Sequence, residues 1–258
     1  MKILVLIKQV PDLESMPCLD EQKGWVKNSA PLKYRMNPFD EYAVEETLRI
    51  KETIDGTCVD GLSLGPPRVC ETLRRAVAMG VDRAFHIDYP LEGFIPAQTT
   101  AKLIAGFAGS AGYDLIVAGA MAEDDMQALV GPMTAEILGV SCAVSVVKSD
   151  PDPVCKTVRV LCEMQSSRRR EILLSMPALI TIQSGVNRPR YPSVRNMLRS
   201  RVQEIKTVIT AEPVKDFQKY TQTVSLPKRS GKTRFIEGSL GEKAEKLLAV
   251  LAKKSFLR

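Results

Sequence analysis

The stretch YDLIVAGAMAEDDMQALVGPMTAEILG, residues 113–139, decides the fold of this chain. Its apolar run at 115–118 is typical of a parallel strand that is buried on both faces. An acidic loop follows, and Gly131-Pro132 then opens an apolar-periodic segment that ends at Gly139, which predicts a helix. In open α/β sheets, ligands bind at the carboxyl ends of strands, where a helix N-terminus offers free N–H groups to phosphate. The stretch therefore indicates a nucleotide site.

The residues before this stretch repeat the same alternation. Residues 3–7, 60–64 and 84–87 each predict a strand, and each is followed by a loop or a helical pattern. Sustained β, loop, α alternation is typical of parallel sheets with right-handed crossovers. We therefore predict an α/β fold with an open, mostly parallel sheet and helices on both faces.

One helix is expected to begin at the block MNPFDEYAVEE, residues 36–46. Asn37 directly precedes Pro38, so its side chain is expected to cap the helix. Glu45 and Arg49 are spaced for an i,i+4 ion pair on the helix surface.

The pattern changes after Gly139. Three strand-like runs, at 142–148, 157–161 and 171–175, predict a hairpin segment, and residues 179–182 predict a final core strand.

The chain beyond Val186 contains prolines, extended segments and a last amphipathic helix, with a capping box at Ser239 and Glu242. We therefore expect an α/β nucleotide-binding core domain at residues 1–185. Residues 186–258 are expected to form an extended C-terminal arm that binds another chain.

The composition is that of a globular protein, with 45% hydrophobic and 26% charged residues. No apolar run reaches the roughly 20 residues of a membrane helix, and the apolar run after Met1-Lys2 lacks a small-residue cleavage site. We expect a cytoplasmic protein without direct membrane insertion.

The cysteines and the single histidine, His86, do not favour a metal or iron–sulfur site. No CxxC spacing occurs, and such sites prefer clustered thiolates or imidazoles. We expect reduced, mostly buried thiols at all six positions. These are Cys18, Cys58, Cys70, Cys142, Cys155 and Cys162.

The charge is uneven, because the residues from Val186 onward include 17 basic and 6 acidic side chains. This region has few aromatic residues for base stacking, so we expect no nucleic acid as a partner. Its charge suits a partner protein or a nucleotide phosphate better.

Six segments, taken together, resemble the β subunit of the electron-transfer flavoproteins, a family of adenine-nucleotide-containing heterodimers. They extend from the first strand into the C-terminal region and follow the family's order. They are ILVLIKQVPD (3–12), MNPFDEYAVEE (36–46), LGPPRVCETLRRAVAMGVDRAFHI (64–87), DLIVAGAMAEDDMQALVGPMTAEILG (114–139), MPALITI (176–182) and NRPRYPSVRNMLRSR (187–201).

The resemblance implies a heterodimer with an electron-transfer flavoprotein α subunit. FAD is then held mainly by the α subunit and shared with this chain, while the β subunit encloses AMP, or a second FAD in electron-bifurcating relatives. Leu6 and Leu64 would sandwich the adenine, Gly119 would let the backbone approach the ligand, and Phe39 would lie near the flavin. The implied cofactor-binding residues are Leu6, Asn37, Pro38, Phe39, Asp40, Leu64, Gly119, Ala120, Met121, Ala122, Glu123, Asp124, Asp125, Met126, Gln127, Ala128, Leu129, Val130 and Gly131.

The loop departs from the family pattern at two places. Leu129-Val130-Gly131 stands where relatives carry Gln-Thr-Gly or Gln-Val-Gly, and Gly119-Ala120-Met121-Ala122 stands where they carry Gly-Lys-Gln-Ala or Gly-Arg-Gln-Ala. Each lost charge-assisted hydrogen bond would weaken phosphate binding by about 1.5–3 kcal/mol. Gln127, displaced by two positions, is a candidate to compensate.

Residues 187–201 match the family's recognition loop, in which one apolar residue anchors into a partner dehydrogenase. That position falls on Val194, with Arg195, Arg199 and Arg201 as a charged rim. The implied function is transfer of electrons from an acyl-CoA or similar dehydrogenase, through FAD, to a membrane quinone oxidoreductase or another acceptor. The alternative for residues 190–201 is a solvated surface turn and short helix.

Three other functions remain open. The first is a subunit of an electron-bifurcating flavoprotein that uses NADH and a second FAD. The others are a nucleotide-sensing module of the universal-stress type and an enzyme such as an ATP-pyrophosphatase or adenylyltransferase. Glu123-Asp124-Asp125 resembles an acid/base site, but adjacent loop carboxylates more often cap a helix or face water.

Overall fold

The computed structural model describes residues 1–15, 18–20, 25–26, 32–89, 94–208, 231, 233 and 235–253. The chain divides into two compact units, Met1–Val224 and Ser225–Arg258. The first unit contains the sheet, and the second contains the final helix.

Strands and helices alternate through most of the first unit. The strands are β1 (Lys2–Leu6), β2 (Gln9–Pro11), β3 (Leu19–Asp20), β4 (Trp25–Val26), β5 (Tyr34–Met36), β6 (Cys58–Gly65), β7 (Arg83–Asp88), β8 (Leu115–Gly119), β9 (Ser141–Asp152), β10 (Thr157–Glu163), β11 (Arg169–Ser175), β12 (Ala178–Ile182) and β13 (Ile205–Val208). The α-helices are α1 (Pro38–Thr53), α2 (Val69–Met79), α3 (Ala97–Gly109), α4 (Val130–Leu138), α5 (Val194–Val202) and, in the second unit, α6 (Leu240–Lys253).

Nine of these strands form one sheet in the order β11-β10-β9-β12-β8-β1-β6-β7-β13. The strands from β9 through β12 to β13 pair in parallel, and β10 and β11 extend the sheet as an antiparallel segment. Two small antiparallel pairs, β2 with β5 and β3 with β4, lie outside it. The α/β fold with a mostly parallel sheet and a hairpin segment is confirmed.

Buried side chains fall into two clusters, because successive residues of a strand point to opposite faces. Val44 of α1 and Leu73 of α2 belong to the cluster on one face, and Leu103 of α3 and Ala135 of α4 belong to the other. Helices therefore cover both faces, as predicted. This leaves the carboxyl ends of β1, β6 and β8 as one edge where loops meet.

Two helix ends match the sequence pattern. Gly139 ends α4 in the left-handed conformation, with φ 66°, and its N–H reaches the carbonyl oxygens of Ala135 and Glu136. In the second unit, the Ser239 N–H donates to Glu242 at 2.7 Å and the Glu242 N–H reaches the Ser239 hydroxyl at 3.4 Å, so the capping box is confirmed.

Three local expectations are wrong. Asn37 precedes α1 but makes no capping hydrogen bond with its side chain. Glu45 pairs with Arg190 rather than Arg49, because the bidentate guanidinium contact satisfies both carboxylate oxygens. The cysteines are free but not mostly buried, since only one of the six is fully buried while Cys18, Cys142 and Cys155 are exposed.

Within the described part of the chain, none of the helices combines the length and the apolar character that a membrane crossing requires. In the same residues, no group of three His, Cys, Asp or Glu side chains could hold a metal ion.

Candidate functional site

A pocket opens at the carboxyl ends of β1, β6 and β8, beside the N-terminus of α4. Its apolar walls come from β1, β6 and α3, and its polar wall comes from the loop between β8 and α4. The lining residues include Leu6, Leu62, Leu64, Ile95, Ile104, Lys8, Asn37, Asp40, Arg68, Asp124, Asp125 and Gln127.

Asp40, in the first turn of α1, joins two strand ends of this pocket. One carboxylate oxygen accepts the N–H of Lys8 at 2.7 Å, and the other accepts the N–H of Gly119 at 3.1 Å. Burial raises the pKa of Asp40 to about 7, although these N–H groups favour its charged form. The α1 helix is thereby fixed to the ends of β1 and β8.

Gly119 is required at the end of β8 because α1 approaches it closely. A Cβ at this position would lie 2.3 Å from Asp40 Oδ1 and 2.7 Å from Phe39 Cβ, which is too short for any real contact. The missing side chain therefore makes room for α1. Gly119 also lines the pocket, so its expected contact with a ligand stays a prediction.

Asn37 holds the loop that follows β8. Its Nδ2 donates to the Met121 carbonyl oxygen at 2.9 Å, and its Oδ1 accepts the N–H of Glu123 at 3.1 Å. This pair of bonds explains why the side chain does not cap α1. It orders the first half of the loop against the start of the helix.

The three acidic loop residues pair with cations from the β1–β5 region. Lys8 Nζ lies 2.7 Å from Asp124 and 3.0 Å from Asp125, and Arg35 Nη2 lies 2.8 Å from Glu123. The expectation that these carboxylates cap a helix or face water is wrong, because the folded chain brings two basic residues to them. Their arrangement holds the loop in place.

The Lys8 ion pairs change the pKa values of their members. Burial lowers the pKa of Lys8, but the attraction of Asp124 and Asp125 outweighs burial and raises it. Burial raises the pKa of Asp124, although the neighbouring Lys8 opposes this. The lysine is therefore charged in the folded chain at neutral pH, and its charge is shared between two carboxylates.

The N-terminus of α4 forms the remaining wall. Leu129 occupies the cap position and has no capping side chain, so the first N–H groups of α4 have no side-chain partner there. Because Pro132 lacks an N–H, the N–H groups of the first turn that can bind a ligand are those of Val130 and Gly131. Gly131 also packs tightly, since a Cβ would lie 2.6 Å from Thr181 Cγ2.

The structure brings together most of the residues that the resemblance implied. Pro38, Phe39, Glu123 and Met126 do not line the pocket, and Met126 is exposed with φ 51°. The implied residues that line it are Leu6, Asn37, Asp40, Leu64, Gly119, Ala120, Met121, Ala122, Asp124, Asp125, Gln127, Ala128, Leu129, Val130 and Gly131.

Lys8, Gln9 and Arg68 also line the pocket, although the sequence did not single them out. Gln9 Nε2 donates to the Arg68 carbonyl oxygen at 3.1 Å and to Thr72 at 3.0 Å. The Arg68 guanidinium lies 4.4 Å from the centre of the Tyr34 ring. Each residue directly follows β1 or the turn after β6, so the rule that strand carboxyl ends bind ligands could have found them.

The residues predicted to dock a partner lie on or beside α5, apart from the pocket lining. Val194, Arg195 and Arg199 are exposed, with 69% of Val194 accessible to solvent. Leu198 and Val202 are 58% and 87% exposed. At spacings of four residues, these apolar side chains share one face of the helix.

Known proteins match the chain over most of its length. A family model described as "Electron transfer flavoprotein domain" matches residues 25–213. "Electron transfer flavoprotein subunit beta" of Methylophilus methylotrophus is 29% identical over 97% of this chain and 98% of its own. "Electron transfer flavoprotein subunit beta, mitochondrial" of Arabidopsis thaliana is 32% identical over 96% and 97%, respectively. "Electron transfer flavoprotein subunit beta" of Bradyrhizobium diazoefficiens is 34% identical over 81% of this chain and 82% of its own.

The family model covers α5 and every strand of the large sheet except β1, and two of the three relatives match nearly the whole chain. They agree with the six segments on which the resemblance rests and with the fold of the first unit. The chain belongs to the electron-transfer flavoprotein family, among its β subunits.

Proposed function

We propose that this chain is the β subunit of a cytoplasmic, heterodimeric electron-transfer flavoprotein. In this proposal it binds AMP in the pocket at the carboxyl ends of β1, β6 and β8, and it completes the site of an FAD held mainly by the α subunit. The observation that carries the proposal is an apolar pocket that ends at the uncapped N-terminus of α4.

The pocket residues fit an adenylate in two respects. Leu6, Leu64 and Ile104 provide apolar walls of the kind that adenine requires. The N–H groups of Val130 and Gly131 and the positive end of the α4 dipole suit a phosphate. An adenylate would thus be held by side chains at its base and by backbone at its phosphate.

The charge of the lining weakens phosphate binding relative to that in a basic pocket. Its charged residues are two cations, Lys8 and Arg68, and three carboxylates, Asp40, Asp124 and Asp125. Lys8 is already paired with both loop carboxylates. We therefore propose that backbone N–H groups, rather than side-chain cations of the loop, provide most of the phosphate recognition.

FAD would supply the electron-accepting chemistry when bound to the heterodimer. For this chain we propose supporting roles: Phe39 lies against the flavin, and the loop at 119–131 encloses the adenylate. The ion pairs of Lys8 and Arg35 keep this loop ordered and so exclude water from the pocket. In such a protein the cofactor does the chemistry and the chain supplies position and electrostatics.

The electron donor docks at α5 in this proposal. The exposed side chain of Val194 would insert into an apolar pocket of an acyl-CoA or similar dehydrogenase, and Arg195 and Arg199 would face acidic residues around it. The α5 helix carries three arginines and no acidic residue, which suits an acidic partner surface. A membrane quinone oxidoreductase or another redox partner would accept the electrons.

The α subunit is the permanent partner, and the C-terminal arm that follows the docking loop within residues 186–258 is proposed to wrap around it. The α6 helix supports this role because Leu247, Leu248 and Val250 are about half exposed. A monomer would leave these apolar side chains in water.

Co-expression with the α subunit tests the proposal. We expect a yellow heterodimer that stays intact through size-exclusion chromatography. Two flavins per heterodimer would instead favour the electron-bifurcating alternative. A colourless chain that runs as a stable monomer would contradict both.

A further inference from the structure

The α5 helix has almost no apolar packing of its own. It contains nine residues, and Ser200 is the one that is buried. Isolated helices shorter than about 12–15 residues are only marginally stable in water. Burial of an apolar face therefore does not account for this helix, and contacts at its ends must contribute most of its stability.

The N-terminal end of α5 is fixed by a cap and by a preceding anchor. The hydroxyl of Ser193 accepts the N–H of Asn196 at 3.2 Å. Three residues earlier, Arg190 donates to both carboxylate oxygens of Glu45, at 2.8 and 2.9 Å, and also pairs with Glu52. The chain enters α5 from a point that is attached to α1.

The C-terminal end is fixed by Arg74 of α2. Its Nη1 donates to the carbonyl oxygens of Ser200 at 2.8 Å, Arg201 at 3.0 Å and Gln203 at 3.3 Å. The last carbonyl groups of a helix have no partner within it, and a cation there also interacts favourably with the helix dipole. Gln203 adds a bond from its Nε2 to the Asp82 carbonyl oxygen at 2.6 Å.

These contacts set the direction in which the exposed apolar face points. Val194, Leu198 and Val202 lie on one face of α5, while Ser200 faces inward and bonds to the Met197 carbonyl oxygen at 2.8 Å. A helix with both ends fixed presents this face in one orientation. Pre-organisation of this kind favours binding because less conformational freedom is lost on association.

We propose that Arg74 is a positioning residue for partner docking. It touches neither the nucleotide pocket nor the exposed face of α5, and it acts by holding the C-terminal end of α5 against α2. This inference rests on the proposed docking of a dehydrogenase at α5. Its effect is on the strength of the encounter rather than on the flavin.

Four variants of the full heterodimer test this role. Arg74→Met removes all three bonds, whereas Arg74→Lys can restore part of them because they come from a single nitrogen. Arg75→Met is the matched control, since Arg75 is the next residue of α2 and pairs with Glu41 at 2.8 Å instead of α5. Val194→Ala tests the docking face itself.

The first readout is amide hydrogen exchange across residues 194–202, which needs no partner. In Arg74→Met we expect these amides to exchange about tenfold faster, because a hydrogen bond from a charged group is lost. Arg74→Lys should fall between this variant and the native protein, and Arg75→Met should match the native protein.

The second readout is electron transfer from a purified acyl-CoA dehydrogenase that has been reduced by its acyl-CoA substrate. Arg74→Met should raise the KM for the dehydrogenase about fivefold or more, with kcat and flavin content unchanged.

If Val194→Ala raises KM while Arg74→Met changes neither KM nor exchange, the positioning role is wrong and docking at α5 stands. If Arg74→Met speeds exchange but neither variant changes KM, docking at α5 is wrong. If Arg75→Met behaves like Arg74→Met, the proposal is overturned.

Discussion

Asp40 Oδ1 occupies the space where a side chain on Gly119 would begin. The two residues are joined by a hydrogen bond of 3.1 Å from the Gly119 N–H, and a Cβ on Gly119 would lie 2.3 Å from the same oxygen. The start of α1 therefore packs closely against the end of β8. Both residues line the proposed nucleotide pocket.

Gly119→Ala is expected to destabilise the chain. Phe39 and Asp40 belong to a helix that cannot retreat without losing its bonds to Lys8 and Gly119, so the added methyl group forces a backbone shift. Overpacking of this kind costs about 1–3 kcal/mol. Chemical denaturation of the variant and the native protein measures the difference.

Gly106→Ala is the matched control for this substitution. Gly106 lies within α3, and a Cβ there meets nothing within 4 Å. Alanine in a helix interior is favoured over glycine by about 0.5–1 kcal/mol. Equal loss of stability in both alanine variants would show that crowding at Asp40 is not the cause.

Asp40 should make stability depend on pH. Its pKa in the folded chain, about 7, lies above the ordinary value of about 3.9 for an unfolded aspartate, so the folded state holds the proton more tightly. The stabilisation that protonated Asp40 gives the folded state is fully present below the unfolded pKa of about 3.9. It is lost as pH rises through the folded pKa of about 7. The free energy of unfolding, relative to that of Asp40→Asn, should fall by about 2 kcal/mol between about pH 5 and about pH 7. If the difference in free energy of unfolding between the native protein and Asp40→Asn stayed constant or increased over this pH range, Asp40 would not have a raised pKa in the folded chain.

Lys8→Met is expected to disorder the acidic loop. Asp124 and Asp125 would lose the cation that they share, and each lost charge-assisted bond contributes about 1.5–3 kcal/mol. Bound adenylate should therefore be retained less well, which isothermal titration with AMP measures. Lys102→Met, at an exposed lysine of α3, should bind AMP like the native protein. Unchanged AMP affinity in Lys8→Met would show that Lys8 does not support AMP binding.

Local patterns in the sequence predict most of the fold but not the contacts between distant segments. The apolar runs, Pro132 and Gly139 were sufficient for β8 and α4. The roles of Asn37 and Glu45 were mispredicted because their partners lie 84 and 145 residues away in the chain. β13 was also missed as a sheet strand. Its short sequence IKTV is half exposed, and its partner strand β7 lies far away along the chain.

For the site, the resemblance located the loop but not the cations that hold it. Lys8 and Asp124 are 116 residues apart, and no spacing rule connects them. The charge balance of the pocket could be read only from the structure, because it depends on which carboxylates already have partners.

Val194→Ala is expected to weaken the encounter with the electron donor. Removing two methyl groups from an apolar anchor reduces binding by about 1–2 kcal/mol, which corresponds to a several-fold rise in KM. Flavin content should remain unchanged, because Val194 does not line the pocket. Steady-state reduction by the acyl-CoA dehydrogenase measures the KM. An unaltered KM would show that Val194 is not the anchor.

The nucleotide content of the purified heterodimer tests directly whether this chain encloses an adenylate. The protein is denatured, and the released nucleotides are separated by chromatography and counted against protein. We expect one FAD and one AMP per heterodimer, with the AMP reduced in Lys8→Met. A heterodimer that releases a single FAD and no other adenine nucleotide would contradict the claim that this chain encloses an adenylate.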